Sequence, residues 1–156
     1  MNRSEFWEVI RESNERAGNV HESRVSALRD LLGKLSKEDV KSAYRWAVLF
    51  LHNAYRENLA QLCSEIVGGS DDSFSDFREN LILLGEDVYQ RALADPNSLR
   101  KLDACSSEAF HWETPLNVFY DILDESELPT VPPHPKHYLE PGEIHGELDP
   151  KALAGS

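Results

Sequence analysis

Six of the eight prolines in this 156-residue chain fall after residue 124, at positions 129, 132, 133, 135, 141 and 150. Proline fixes φ and has no N–H to donate, so that stretch is barred from regular helix. Residues 1–123 contain only Pro96 and Pro115, and the regular structure must be built there. This divides the chain into a helical domain over 1–123 and an extended or disordered tail over 124–156. Charge divides at the same place. The domain holds 21 acids and 14 bases, and the tail 7 acids and 2 bases, giving nets of -7 and -5. Leu128, Val131, Tyr138, Leu139, Ile144 and Leu148 would let part of the tail lie along the domain in polyproline-II form; full disorder fits the composition equally well.

Ahead of the tail the apolar period is helical, and no segment alternates apolar with polar residues as a half-buried strand would. The expected fold is all-α, a compact bundle of about six to eight helices. Ser4 can cap a first helix carrying Phe6, Trp7, Val9 and Ile10, which Gly18 and Asn19 would close in the left-handed conformation. A second helix from about Glu22 presents Val25, Leu28, Leu31, Leu32 and Leu35 as one stripe. Ser36, with Asp39 three residues on, starts a third. From Lys37 one apolar face runs as far as Ile66, nearly thirty residues, so one long rod and a break near Tyr55–Asn58 both fit. Gly68 and Gly69 end the run. Further helices follow from Ser70 to Leu84, with Phe74, Phe77, Leu81 and Ile82 inward, and around Val88–Leu93. Asp95 ahead of Pro96 is a cap followed by proline at the first helical position. A last helix over 106–123 should be split or kinked by Pro115.

With 40% hydrophobic and 28% charged residues, the composition is that of a globular protein rather than a fibrous or wholly disordered one. The net charge of -12 opposes the phosphate neutralisation on which nucleic-acid binding depends, so no DNA or RNA partner is expected. Trp46–Leu51 is the longest apolar run, far short of the roughly 20 residues that cross a bilayer. No signal-peptide core follows Met1, so the expectation is a cytoplasmic protein without a membrane partner. Cys63 and Cys105 show neither a CxxC nor a Cys/His spacing and read as reduced, buried thiols. No cofactor is indicated.

The sharpest local pattern is Gly68-Gly69-Ser70-Asp71-Asp72-Ser73-Phe74-Ser75-Asp76-Phe77-Arg78. Asp71 and Asp72 suit the positive end of a helix dipole, which makes the group a strong helix start. No GK[ST] follows and no strand precedes, so it is not a phosphate loop. Arg78 shares the inward stripe of Phe74 and, if buried, needs a carboxylate from another helix or an anionic ligand. Asp71, Asp72 and Arg78 are therefore ligand-site candidates. His52 and Arg56, near Trp46 and Tyr55, are a second pair that can flank a cleft, or else the half-exposed border of a packed helix. In the tail, His134, His137 and His145 lie among glutamates. Their HxxH contains a proline and lies outside any helix, so they read as adventitious metal ligands rather than a built metal site.

The string S-D-D-x-F-x-x-F-R-x-x-L-I-x-x-G from Ser70 to Gly85 resembles the hallmark of the bacterial domain-of-unknown-function 4240 family. S-E-F-W-x-x-I at Ser4–Ile10, Gly68-Gly69, and Tyr89 through Ala92-Leu93 to Asp95-Pro96 and Leu99 fit the same pattern. Asn80 stands where a tryptophan usually follows the Phe-Arg, and the tail lacks a tryptophan-containing ending. The resemblance implies a small, soluble, helical bacterial protein and no reaction. Two functional expectations remain. One is an acidic module acting by protein–protein contact with a basic partner, a profile that also suits a regulatory or immunity-type protein. The other is a small-molecule binder or enzyme built around Asp71, Asp72 and Arg78.

Overall fold

The computed structural model describes residues 1–18, 20–102, 110 and 113–146. Over these the fold is an all-α bundle. Its α-helices are α1 (Arg3–Ala17), α2 (His21–Gly33), α3 (Lys37–Asn53), α4 (Glu57–Ile66), α5 (Asp71–Leu83) and α6 (Glu86–Ala94), and 3-10 helices follow over Pro96–Lys101, Pro115–Asp121 and Glu125–Glu127. Cys105, His111 and Trp112 lie outside the described residues.

Local chemistry sets the helix starts. Ser36 accepts from Asp39 N–H at 3.1 Å and Ser70 from Ser73 N–H at 3.0 Å, each satisfying one of the N–H groups that a helix start leaves without a partner. The Asp39 carboxylate accepts from the Ser36 hydroxyl at 3.1 Å and pairs with the Met1 amine at 3.2 Å. The first helix begins earlier than expected: Asn2, not Ser4, is its cap, in a reciprocal box with Glu5. Gly18 closes it at φ 60 and ψ -135, a positive φ outside the left-handed helical region expected there. The long apolar run does break, with Ala54–Arg56 forming a corner between α3 and α4.

The core centres on α5, whose C-terminal half is buried on every side: Phe77, Leu81, Ile82 and Leu83 have no exposure. Buried Arg78, Glu79 and Asn80 share this half with them, so it is interior on every face, and α5 touches α1, α3, α4, α6 and the second 3-10 helix. Phe77 stacks on Phe110 with ring centres 4.5 Å apart. A second aromatic group joins Trp7 of α1, Phe50 of α3 and Tyr89 of α6, with Phe50 4.6 Å from Trp7 and 5.3 Å from Tyr89. The Tyr89 hydroxyl donates to Phe50 O at 2.7 Å, which satisfies a buried polar tip.

The split expected at Pro115 occurs, and the segment after it is a 3-10 helix rather than an α-helix. Thr114 takes φ 42 and a 3-10 helix starts at Pro115. Two α5 carboxylates hold this turn: Asp76 accepts from Thr114 N–H and Glu79 from Leu116 N–H, both at 2.9 Å. Residues 128–146 contain no helix. From about residue 131 they run as an extended strap over the α3–α4 corner and the start of α5.

Candidate binding site

The corner grips the strap by its main chain. Leu139 N–H donates to Tyr55 O at 2.9 Å. Arg56 donates from Nη1 to Glu140 O at 2.8 Å and from Nη2 to Glu143 O at 2.7 Å, while its Nε is tied to Asn53 O. The Asn53 amide donates to His145 O at 2.9 Å and accepts from His145 N–H at 3.0 Å, which is how a β-strand neighbour would pair. Pro135 and Leu139 are the buried anchors between these bonds. Arg56, expected to flank a cleft or to sit at the half-exposed border of a packed helix, is half-exposed and positions the strap.

Beneath the strap lies Arg78, 5% exposed. Its Nη1 donates to Leu51 O at 3.0 Å, its Nε to Phe74 O at 3.4 Å, and its guanidinium carbon sits 5.0 Å from the Tyr55 ring centre and 4.8 Å from that of Phe74. Nη1 also faces His134 Nε2 at 3.5 Å. The carboxylate expected from another helix is missing: among the described residues no acid forms an ion pair with Arg78. The α5 turn aims it at the corner, where carbonyls and aromatic faces take the place of an anion. Burial lowers the guanidinium pKa. Adjacent Glu79 turns the other way, to Leu116, and burial pushes its carboxyl up to about 7.

His52 is buried rather than half-exposed, since the strap covers it. Its ring centre lies 5.2 Å from that of His134 and 5.6 Å from that of His145. Burial, reinforced by His134, His145 and Arg78, pushes it down to about 4, so it is neutral. Its Nδ1 has no hydrogen-bond partner among the described residues. His137 is exposed on the strap. Among the described residues no three His, Cys, Asp or Glu side chains are grouped so as to hold a metal ion. Asp71 and Asp72 stand exposed in the first turn of α5, and no hydrogen bond or ion pair joins them to Arg78. Cys63 is buried with its thiol 3.7 Å from Ser73 O, and burial pushes its pKa up to about 11, which favours the protonated thiol at neutral pH.

Between α4, α6 and the strap lies an open groove of about 720 Å³. Its polar lining includes Glu57, Asn58 and Gln61 on α4, Gln90 on α6, and Tyr138 and Glu140 on the strap. Arg56 also lines it and was a sequence candidate; the other polar residues were not. Asn58 and Gln61, three apart on one helix, were a visible signal, but the strap that completes the groove is joined to them only through tertiary contacts.

Among the described residues no helix is long and apolar enough to cross a membrane. A family model described as "Protein of unknown function (DUF4240)" matches residues 1–124. No curated protein and no solved structure matches the chain.

Proposed function

The chain belongs to the DUF4240 family, and from that premise we propose that it is a binding module whose groove between α4, α6 and the strap takes an extended segment of a basic protein partner. The groove carries this reading. Gln61 and Gln90 each offer a donor and an acceptor, and Asn58, whose oxygen already accepts from Leu59 N–H, adds a donor, which suits the alternating N–H and C=O groups of an extended peptide. Glu57 and Glu140 add exposed carboxylates. The cation in the lining, Arg56, is turned onto three carbonyls. A net charge of -12 would hasten encounter with a basic chain. The groove's volume lies within the roughly 300–1,000 Å³ range of ligand sites.

Fluorescence anisotropy with a labelled Lys–Ala repeat octapeptide tests the reading against a Glu–Ala counterpart. The expected result is saturable binding of the Lys–Ala peptide alone, weakened by salt and by the double charge reversal Glu57→Lys with Glu140→Lys. Equal behaviour of the two peptides at low and at moderate salt would refute it.

A further inference from the structure

The strap that walls the groove is held over a patch whose charges share one sign. His52 from α3, His134 and His145 from the strap, and Arg78 from α5 meet there. The other ionisable groups facing them are Tyr55 and Arg56 at the corner, Cys63 on α4, Glu79 on α5, Tyr89 on α6 and Tyr138 on the strap. Glu79 is committed to Leu116 N–H. Among the described residues no carboxylate forms an ion pair with any of the three histidines or with Arg78.

Hydrogen bonding uses His134 in its neutral form. A guanidinium only donates, so His134 Nε2 can face Arg78 only as an acceptor, and its Nδ1–H goes to Pro135 O at 2.7 Å. A second proton on that ring would point at a cation. His145 gives its Nε2–H to Pro133 O at 2.8 Å. A second proton on His52 would create a buried charge beside Arg78 with nothing to accept its Nδ1–H.

We propose that protonation of this histidine cluster releases the strap from the α3–α4 corner and removes one wall of the groove, so that the basic partner is held at neutral pH and let go in mildly acidic surroundings. The gating role rests on the groove reading above; the release does not. The sign follows from linkage. Docking buries His52 and holds it well below its solvent-exposed value, so the released form binds more protons as pH falls below about 6.5. The docking equilibrium then loses up to about tenfold per pH unit for each histidine so held.

Amide exchange of the full chain, followed by NMR from about pH 8 to about pH 5 and corrected for intrinsic rates, tests the release. Leu139 and His145, whose N–H groups bond to Tyr55 O and Asn53 Oδ1, should lose at least about tenfold of their protection together, while Phe77 and Leu81 keep theirs. The double variant His134→Gln with His145→Gln should move the release to lower pH. If that variant fails to dock its strap at neutral pH, Arg78→Met, which removes the central cation, should produce the same displacement. Unchanged protection across the range, or release of a docking-competent variant at the wild-type pH, would overturn the proposal. Titration with the Lys–Ala peptide separates the two ideas. Release without peptide binding at neutral pH overturns the groove reading and leaves the release standing. Peptide binding with a strap still protected at the acidic end overturns the release and leaves the groove reading standing.

Discussion

Arg78 is the residue where expectation and structure part most instructively. A buried cation without an anion keeps its desolvation cost, offset here by carbonyl oxygens and two aromatic faces. No carboxylate would be stranded by its removal, so the loss expected for a broken buried ion pair does not apply. Arg78→Met, similar in length and apolar, should unfold within about 1 kcal/mol of the wild type in urea. Arg78→Ala, which leaves a void under the strap, should lose about 2–4 kcal/mol. Equal large losses in both would show that the charge, not the packing, holds the site. Phe77, fully buried against Phe110, gives the contrasting case: Phe77→Ala should cost about 3–5 kcal/mol by chemical denaturation, and a loss below about 1 kcal/mol would mean the core had been misassigned.

At the scale of the element, α5 depends on a cap that a single hydroxyl provides. Ser70→Ala should lower stability by about 0.5–2 kcal/mol, whereas Ser70→Asp should nearly preserve it; denaturation midpoints of the two variants decide. Helix starts such as this were legible because the signal and its effect lie within one turn: Ser36, Ser70 and Asp95 all cap where their hydroxyl or carboxyl predicts. The break at Tyr55 was visible only as an alternative, because apolar spacing continues through it. The strap's path was illegible for a different reason. It is held by main-chain atoms at Leu139, Glu140, Glu143 and His145, and a peptide group looks the same at every position of a sequence. The groove amides, Asn58, Gln61 and Gln90, read as ordinary helix surface until that strap is in place.

Across the whole molecule two ionisable regions pull stability in opposite directions. Glu79 is held at about 7 by burial, above its usual carboxylate value of 4.5. The folded chain therefore keeps a proton that the unfolded chain releases, so this contribution is full below about pH 4.5 and is lost as pH rises through about 7. Buried His52 does the reverse, favouring the docked strap as pH rises toward 6.5. Glu79→Gln keeps an acceptor for Leu116 N–H and removes the proton. The variant should gain on the wild type as pH is raised from about 5 to about 8, by up to about 1.4 kcal/mol per unit within the window. Urea midpoints at several pH values measure the gap, and a constant difference would show that Glu79 is ionised throughout.

The corner of Asn53, Tyr55 and Arg56 grips peptide groups and ignores most of the side chains attached to them. Apart from the anchors Pro135 and Leu139, Tyr138 on the Tyr55 ring, Glu143 on Glu140 N–H, the positive-φ Gly142 and Gly146, and His134 and His145, the segment it holds is free to drift in evolution. The exposed positions Lys136 and His137 can change identity without loosening the hold. An engineer can use the same indifference: recognition residues written into those positions would be displayed beside the groove on a rigid frame, with no need to redesign the helices that carry it.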